Sequence, residues 1–425
     1  MILILHYPCI ASLTGLKSDR AWTRGPSGQT MKKSYSFLLP QAFAAALVVL
    51  CLALPCAAQP RIVAVDDIHG ACTEFVAFLQ QIKTIDDHQH WVGGTTTLVQ
   101  TGDVPDRGAQ TRAAFDLLME LERQAPDQGG KAAALLGNHE VMTIQGDLRY
   151  VSSGDYEPFA TPQSAERRER EYRDWRKFVA AHDHGQNLNI PKDEVEARTK
   201  WMAEHPLGFF ERRDAFGPEG VYGRWLRAHE AMAKTGDGSF MHGGLNPDLP
   251  SLDIAELNRR IHHEIASFDL LWKSLSEKVI IWKYMTMSEA TLRVQEEWAA
   301  IELRGQVDDQ EAALNMLTLL GLPRWFVNFR DSPLWYRGLA LQLEETIKAS
   351  VESGLDELNV RYLVAGYTVR RKFEILSRFD NRVFLIDTGM LKEVYGGRAS
   401  APEILDGQFT ATTVGTNLRK WALPS

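Results

Sequence analysis

The 425-residue sequence predicts a mixed α/β fold, and the order of its apolar segments is the main reason. Short β-rich runs alternate with stretches of helical spacing: Arg61–Val65, Glu74–Ile85, Thr97–Gln100, Thr111–Arg123 and Ala132–Leu136. The residues that follow the three runs, Asp67, Asp103 and Asn138, are 36 and 35 positions apart. This spacing fits right-handed crossovers in a largely parallel sheet. Because ligands gather beyond the carboxyl ends of such strands, these three residues mark a candidate site.

The rest of the chain predicts helical insertions in the same core. Residues 145–235 are charged and read as mostly helical or irregular, and residues 250–345 are again rich in helical spacing. Between them Ser239–Met241 reads as a strand, and Tyr362–Ala365 with Val383–Ile386 would complete the sheet. We therefore expect one catalytic domain over residues 59–425, with the two insertions covering the strand ends.

The amino terminus carries the pattern of a secretory signal. Met31-Lys32-Lys33 is basic, Ala42–Leu54 is an unbroken apolar run, and Cys56-Ala57-Ala58 offers small residues for cleavage before Gln59. An uncleaved anchor is the alternative, but the run is shorter than the ~20 residues that span a bilayer. The pattern predicts that residues 1–58 are an extension and signal peptide with its true start at Met31. The mature protein would be periplasmic or secreted, with no membrane attachment.

Charge and cysteine content exclude two classes of function. A net charge of −8 and a pI near 5.9 argue against a nucleic-acid partner. Of the four cysteines, only Cys72 lies beyond the predicted signal peptide, so no internal disulfide is expected. A cysteine-dependent phosphatase needs an arginine six residues after its thiolate, whereas that position here is Phe78. Cys72 is therefore predicted to be a small, buried apolar group.

Four strand ends together predict a metal site. Asp67 and His69 lie on one loop and can hold the same cation, and Asp103 can bridge two cations with its two oxygens. Asn138 adds a carbonyl oxygen and His242 an imidazole. Mixed oxygen and nitrogen ligation suits Mn, Fe, Zn or Co and lacks the thiolates of a structural zinc site. A single Asp-x-His triplet could be no more than a capped turn, so the prediction depends on the four strand ends jointly.

The motifs around these residues resemble those of the calcineurin-like metallophosphoesterases. The matching segments are DIHG at 67–70, GDVPDRG at 102–108, GNHE at 137–140 and HGG at 242–244. The GDxxDRG and GNHE forms are those of the phosphoprotein phosphatase branch. Further segments are similar to the Shewanella-like protein phosphatases: NHEVM at 138–142, GDLRY at 146–150, PLWYRG at 333–338 and DTGM at 387–390.

The resemblance implies a β-sandwich flanked by helices and two divalent metal ions, Mn, Fe or Zn. Asp67 and His69 would bind the first ion, Asp103 would bridge, and Asn138 with His242 would bind the second. A dinuclear site lowers the pKa of bound water, which supplies a hydroxide nucleophile near neutral pH and clamps the phosphate for in-line attack.

The resemblance also implies catalytic roles. His139 would contact the substrate phosphate and protonate the leaving oxygen, and Asp106 would orient its imidazole. Arg107 would hold phosphate oxygens with a bidentate fork, and Arg337 is a candidate second clamp. Two alternatives stay open. Arg107 could instead pair with Asp103 or Asp106 to hold the loop, and Arg337 could be an ordinary surface residue.

Two positions depart from the family pattern. Asp66 stands where the family has glycine, and we expect its carboxylate to face away from the site. Tyr367 stands where the family closes the second metal site with a histidine in Gly-His-Thr, and no histidine follows His263. A neutral phenol, with a pKa near 10, binds most divalent ions poorly. Tyr367 is therefore a doubtful ligand, and the second site is expected to be weakened or tyrosinate-modified.

Some other polar residues are predicted to have structural roles. Glu140 would support its loop, and Asp387 would form a turn at a strand end. His88 and His90 imitate a metal cluster, but they precede a strand and so belong to the opposite end of the sheet, on a solvated turn.

The function that these residues predict is an exported, metal-dependent phosphomonoesterase. Phosphorylated protein or peptide, at Ser/Thr or Tyr, is the implied substrate, with small phosphomonoesters also possible. One alternative is a nucleotidase or polyphosphate hydrolase on the same fold. Another is a metal-degenerate protein that binds phosphorylated ligands without turnover, which Tyr367 and Asp66 would explain.

Overall fold

Two mixed β-sheets contain the strands of this computed structural model, which describes residues 60–182, 190–191, 193–249, 253–370, 372–413 and 419–423. The strands are β1 (Ile62–Val65), β2 (Thr97–Gln100), β3 (Lys131–Ala134), β4 (Met232–Thr235), β5 (Gly238–Met241), β6 (Tyr362–Ala365), β7 (Leu376–Arg378), β8 (Val383–Leu385), β9 (Ser400–Leu405), β10 (Gln408–Thr413) and β11 (Arg419–Ala422). The predicted extension and signal peptide, residues 1–58, lie outside the described residues.

Helices fill the connections between these strands. They are α1 (Cys72–Gln81), α2 (Thr111–Gln124), α3 (Asn138–Gln145), α4 (Ser164–His182), α5 (Glu194–Glu204), α6 (Phe209–Phe216), α7 (Val221–Arg227), α8 (Ile254–Glu277), α9 (Met287–Arg304), α10 (Gln310–Gly321), α11 (Gly338–Leu341), α12 (Glu344–Glu357) and α13 (Lys392–Tyr395). Among the described helices we find none with the length and apolar character needed to cross a bilayer.

The first sheet has the order β11-β10-β9-β1-β2-β3, and the second has the order β4-β5-β6-β8-β7. Strands β1, β2 and β3 run parallel, as do β5, β6 and β8. The mixed α/β class and the sandwich are thus confirmed. The expectation that Tyr362–Ala365 and Val383–Ile386 complete one sheet is wrong, because β6 and β8 pair with β5 in the second sheet.

The two sheets enclose an apolar core. Ile62 and Ala64 of β1 pack into one cluster with Val364 of β6, Phe384 of β8 and Phe409 of β10. The alternate β1 residues, Val63 and Val65, belong instead to the core shared with the helices. Both faces of β1 are therefore buried, which explains why its sequence is a continuous apolar run without polar alternation.

Three features test smaller predictions. Cys72 is buried, as predicted. The first predicted insertion, residues 145–235, contains α4–α7 but also β4, an edge strand of the second sheet, and the second, residues 250–345, contains α8–α11 and the first two residues of α12. Strands β4, β7 and β9–β11 were not predicted from the sequence, and for β9 one reason is Pro402, since proline argues against a strand.

Candidate active site

The loops that leave the strands hold the predicted site residues in strained backbone conformations. His69, Asp103, Asp106, Arg107 and Tyr367 have φ angles of +46°, +59°, +73°, +67° and +68°. Left-handed conformations are rare for residues with a side chain, and such strain gathers where a site requires it. These five positions agree with the prediction that the carboxyl ends of the strands carry the site.

Hydrogen bonds lock the first two loops together. The amides of Ile68 and His69 donate to Asp103 O at 3.0 and 2.9 Å, and the Gly108 amide donates to His69 O at 2.9 Å. A Cβ atom on Gly108 would lie 2.5 Å from His69 O, so only glycine fits there. The two motif loops are thus one backbone unit.

Glu140 joins the third loop to the second. Its carboxylate accepts from the amides of Asp103 at 2.9 Å, Val104 at 2.7 Å and Gly137 at 2.6 Å. All three bonds are buried, so both carboxylate oxygens accept hydrogen bonds from backbone amides. The prediction that Glu140 supports its loop is confirmed.

The structure brings the five predicted metal ligands together. Asp103 Oδ2 lies 3.7 Å from His69 Nε2 and 3.2 Å from His242 Nε2. Asp67 Oδ2 lies 3.5 Å from His69 Nε2, and Asn138 Oδ1 lies 2.9 Å from His242 Nε2. Each side chain is buried. Asp103 thus stands between two groups of donors, where a bridging carboxylate would be needed.

His69 is held in the tautomer that a ligand requires. Its Nδ1 donates to Pro105 O at 3.0 Å, which leaves the Nε2 lone pair facing Asp67 and Asp103. Burial lowers the pKa of His69 to about 4, so the ring is neutral. A ligating histidine is typically oriented by such a bond to its other nitrogen.

His139 and Asp106 form a buried pair. His139 Nδ1 lies 2.6 Å from Asp106 Oδ2, and the His139 amide donates to Asp103 Oδ1 at 2.9 Å. Burial lowers the pKa of His139, but the Asp103 and Asp106 carboxylates outweigh it and raise the pKa above its ordinary value. Because Nδ1–H donates its hydrogen bond to Asp106, the proton on Nε2 remains available to a bound ligand.

Two residues behind Asp106 were missed by sequence reasoning. Arg212 of α6 is buried, its Nη2 lies 3.7 Å from Asp106 Oδ1, and its Nε donates to Asp155 Oδ2 at 2.9 Å. Both residues belong to the first insertion, and no local pattern distinguishes them from their charged neighbours. The first insertion therefore places a buried guanidinium beside the carboxylate that orients His139.

Arg107 lies between two aromatic rings. Its guanidinium carbon is 4.6 Å from the Tyr150 ring centroid and 5.6 Å from that of Tyr395. The ion pairs of the described residues do not include Arg107, so its guanidinium is not used by Asp103 or Asp106. The loop-pairing alternative for Arg107 thus has no support in this structure. The two tyrosines were not predicted.

Tyr367 and Arg337 stack at the edge of the site. The Arg337 guanidinium carbon lies 3.9 Å from the Tyr367 ring centroid, and the ring is 5.0 Å from that of His242. The Tyr367 amide faces Asp67 Oδ1 at 3.4 Å. Burial raises the pKa of Tyr367 although Arg337 opposes this, so the phenol is neutral. A metal bond from Tyr367 stays a prediction.

Asp66 corrects one expectation. Its side chain is buried. One oxygen of its carboxylate, one of the Asp67 carboxylate and one ring nitrogen of His242 lie within 4.8 Å of one another. The expectation that Asp66 faces away from the site is wrong, because its carboxylate lies in this group and against Gly366, the residue directly after β6. Asp387 forms the predicted turn, with Oδ1 accepting from the Gly389 amide at 3.0 Å.

The donor set fits divalent cations. His242 Nδ1, Asp66 Oδ2 and Asp387 Oδ2 are buried polar atoms with no hydrogen-bond partner among the described residues. Such atoms are costly unless something binds them. Carboxylate, amide and imidazole donors are those that Mn, Fe and Zn accept. The site is thus built for metal ions, without selecting one of them.

Comparisons with known proteins agree with this geometry. The family model described as Calcineurin-like phosphoesterase matches residues 60–295, which is more than half of the chain. Shewanella-like protein phosphatase 2 of Arabidopsis thaliana is 31% identical over 219 residues, which cover 49% of this chain and 52% of that protein. Shewanella-like protein phosphatase 1 of Plasmodium berghei is 23% identical over 78% of this chain and 67% of its own.

A solved structure shares the fold. The cold-active protein-tyrosine phosphatase of a psychrophilic Shewanella species has a TM-score of 0.54 and 23% identity, covering 85% of this chain and 80% of that one. At this identity the likeness concerns the fold alone. It agrees with the two-sheet architecture described above.

Proposed function

The chain belongs to the calcineurin-like phosphoesterase family, and from this premise we propose that it is a metal-dependent phosphomonoesterase. The observation that supports this best is the buried His139–Asp106 pair, 2.6 Å apart, beside five convergent metal donors. A protein that only binds phosphate has no use for an oriented proton donor. The pair therefore favours turnover over the metal-degenerate alternative.

The metal donors would be Asp67, His69, Asp103, Asn138 and His242. Divalent ions bound there would polarise the phosphate and make water a nucleophile near neutral pH. Two ions, Mn, Fe or Zn, are proposed on the family pattern, with the second ion's site altered by Tyr367.

The chain's own side chains would handle charge and protons. His139 Nε2 would give its proton to the leaving oxygen, while Asp106 holds Nδ1–H and stabilises the imidazolium. Arg107 lies between Tyr150 and Tyr395 and forms no ion pair with the described residues, so its guanidinium can bind two phosphate oxygens in a fork. Arg337 is exposed beside Tyr367, and its guanidinium would add a second positive charge at the open side of the site.

The proposed substrates are phosphorylated protein or peptide, at Ser/Thr or Tyr, together with small phosphomonoesters. The names of the plant and Plasmodium relatives support this class. Arg337 and Tyr150 are both exposed beside the site, which suits a phosphate carried by a larger molecule. Export through the predicted signal peptide is proposed with it.

A direct test compares wild type with Asp103→Asn on p-nitrophenyl phosphate, with Mn, Zn, Fe or Mg added. We expect turnover that a chelator abolishes, and a loss of ~100-fold or more in Asp103→Asn because the bridging charge is removed. Asp87→Asn, an exposed aspartate, is the matched control. Undiminished turnover in Asp103→Asn would contradict the metal mechanism, and a preference for nucleotides over phosphopeptides would favour the nucleotidase alternative.

A further inference from the structure

The Tyr367 ring contacts both a metal donor and a cation. Its centroid lies 5.0 Å from that of His242 and 3.9 Å from the Arg337 guanidinium carbon. Trp335 meets the same ring in a T-shaped contact, with the two centroids 6.2 Å apart. The contact with Arg337 is the shortest cation–π contact in the described part of the chain, well within the ~6 Å over which such attraction acts.

The segment that carries Arg337 is fixed to the loop after β5. The amides of Gly243 and Gly244 donate to Pro333 O at 2.7 and 3.3 Å. A Cβ atom on Gly243 would lie 2.9 Å from that oxygen and 3.0 Å from the Trp335 amide nitrogen, so the two segments pack in direct contact. The backbone therefore sets where the Arg337 side chain begins, beside the site.

The ring is what restricts the rest of the Arg337 side chain. Arg337 is exposed, and the ion pairs of the described residues do not include it. A long exposed side chain samples many rotamers, and ordering it in advance removes part of the entropy cost of binding. Stacking on an aromatic face also leaves the N–H groups at the edge of a guanidinium for phosphate oxygens.

A histidine at position 367 would not hold Arg337 in this way. An imidazole that binds a divalent ion shares the positive charge of that ion, so its ring would repel a guanidinium. The face of a neutral phenol ring is negative and attracts one. Tyrosine thus suits a neighbouring cation at the position where the family pattern has a metal ligand.

We propose that Tyr367 is a positioning residue that holds the Arg337 guanidinium at the site, where it binds a phosphate oxygen of the substrate. This inference rests on the proposed function, in which Arg337 supplies a second positive charge. The exchange of histidine for tyrosine then serves phosphate binding, and the phenol oxygen is not a metal ligand.

The test is a double-mutant cycle on Tyr367 and Arg337. The variants are Tyr367→Leu, Arg337→Gln and the double variant, together with Tyr367→Phe, which keeps the ring without the hydroxyl. KM and kcat are measured on p-nitrophenyl phosphate with Mn²⁺ added, and bound Mn²⁺ is counted in each variant. The Kd of inorganic phosphate is measured by calorimetry, which requires no turnover. Phe329→Leu, an aromatic residue before α11 that is 42% exposed, is the matched control.

We expect Tyr367→Leu and Arg337→Gln each to raise KM and the phosphate Kd about two- to fivefold with kcat nearly unchanged, since an exposed cation–π contact is weak. The double variant should match Arg337→Gln, because Tyr367 acts only through Arg337. Tyr367→Phe and Phe329→Leu should stay within twofold of wild type.

Additive effects of the two substitutions would overturn the inference, as would an unchanged KM in Tyr367→Leu. A loss of bound Mn²⁺ in Tyr367→Phe would also overturn it, because the phenol oxygen would then be a metal ligand. Tyr367→Asn repeats the comparison with a residue that tolerates the left-handed backbone of this position, so the test holds even where the leucine variant does not fold. If the coupling appears in the phosphate Kd but no phosphomonoester is turned over, the proposed function fails and this inference stands.

Discussion

The two halves of the site differ in how their loops are joined. In the first half, the loops after β1, β2 and β3, Glu140 bonds three amides and His69 is fixed by Pro105. In the second half, the loops after β5, β6 and β8, His242 Nδ1 and Asp387 Oδ2 have no hydrogen-bond partner among the described residues. Asp66 Oδ2 and Asp106 Oδ1 of the first half have none either. Carboxylate-to-amide bonds thus join the loops of the first half, while buried polar atoms without partners occur in both halves.

Each half departs from the family pattern at one position, the first at Asp66 and the second at Tyr367. The proton-transfer pair His139–Asp106 and the central Asp103 lie in the first half. A variant in the first half should therefore damage proton transfer, ion binding or folding, whereas one in the second half should change ion or substrate affinity and leave proton transfer intact.

His139→Asn should have the largest effect. It removes the proton donor, so kcat on a substrate with a poor leaving group is expected to fall by ~10²–10⁴. The measurement is steady-state kinetics with phenyl phosphate, alongside metal content, which should stay at the wild-type value. His88→Asn, an exposed histidine on a turn, is the control.

The pH dependence of activity also tests His139 as the proton donor. The carboxylates of Asp103 and Asp106 outweigh burial and raise the pKa of His139 above 6.5, so the acid form persists to higher pH. Activity should then fall as pH rises through that raised pKa. Asp106→Asn removes one of the two charges, so its alkaline limb should move to lower pH. If the alkaline limb of the pH–activity profile stays in place in Asp106→Asn, Asp106 does not raise the pKa of the proton donor.

Arg212→Ala should have the next largest effect, on stability. Arg212 and Asp155 are almost fully buried and form an ion pair with a bond of 2.9 Å. The Arg212 guanidinium also lies 3.7 Å from the Asp106 carboxylate. Removing one partner of a buried ion pair costs ~3–5 kcal/mol of unfolding free energy. Urea unfolding measures it, and Arg224→Ala, an exposed arginine nearby in sequence, should change stability little. Equal effects of the two variants would show that Arg212 does not anchor the first half.

Sequence reasoning reached the first half almost completely. Asp67, Asp103 and Asn138 follow apolar strands, so local pattern located them, and the short GNHE motif added His139 through the family resemblance. Arg212 could not be found in this way, since its contact with Asp106 spans more than a hundred residues and its neighbours are also charged.

Contacts between the two halves were harder for a related reason. The direction of the Asp66 side chain in the first half depends on Gly366 of the second, which is 300 residues later, and a strand pattern does not reveal which neighbour a terminal residue meets. Similarly, β6 and β8 read as plain strands, and only their pairing with β5 assigns them to a second sheet. Local signals thus identify elements and motifs, and contacts between distant elements decide the rest.

Arg337→Gln should have the smallest effect and tests the second half as a substrate contact. The guanidinium is exposed above Tyr367, so solvent screens it, and its loss should raise KM about two- to fivefold with kcat nearly unchanged. Arg337→Lys should recover part of this, because it keeps the charge without the planar fork. Arg330→Gln, an arginine of the same connection that is 89% exposed, is the control. A fall in kcat with unchanged KM would instead place Arg337 with the proton-transfer residues, and the division of labour between the two halves would fail.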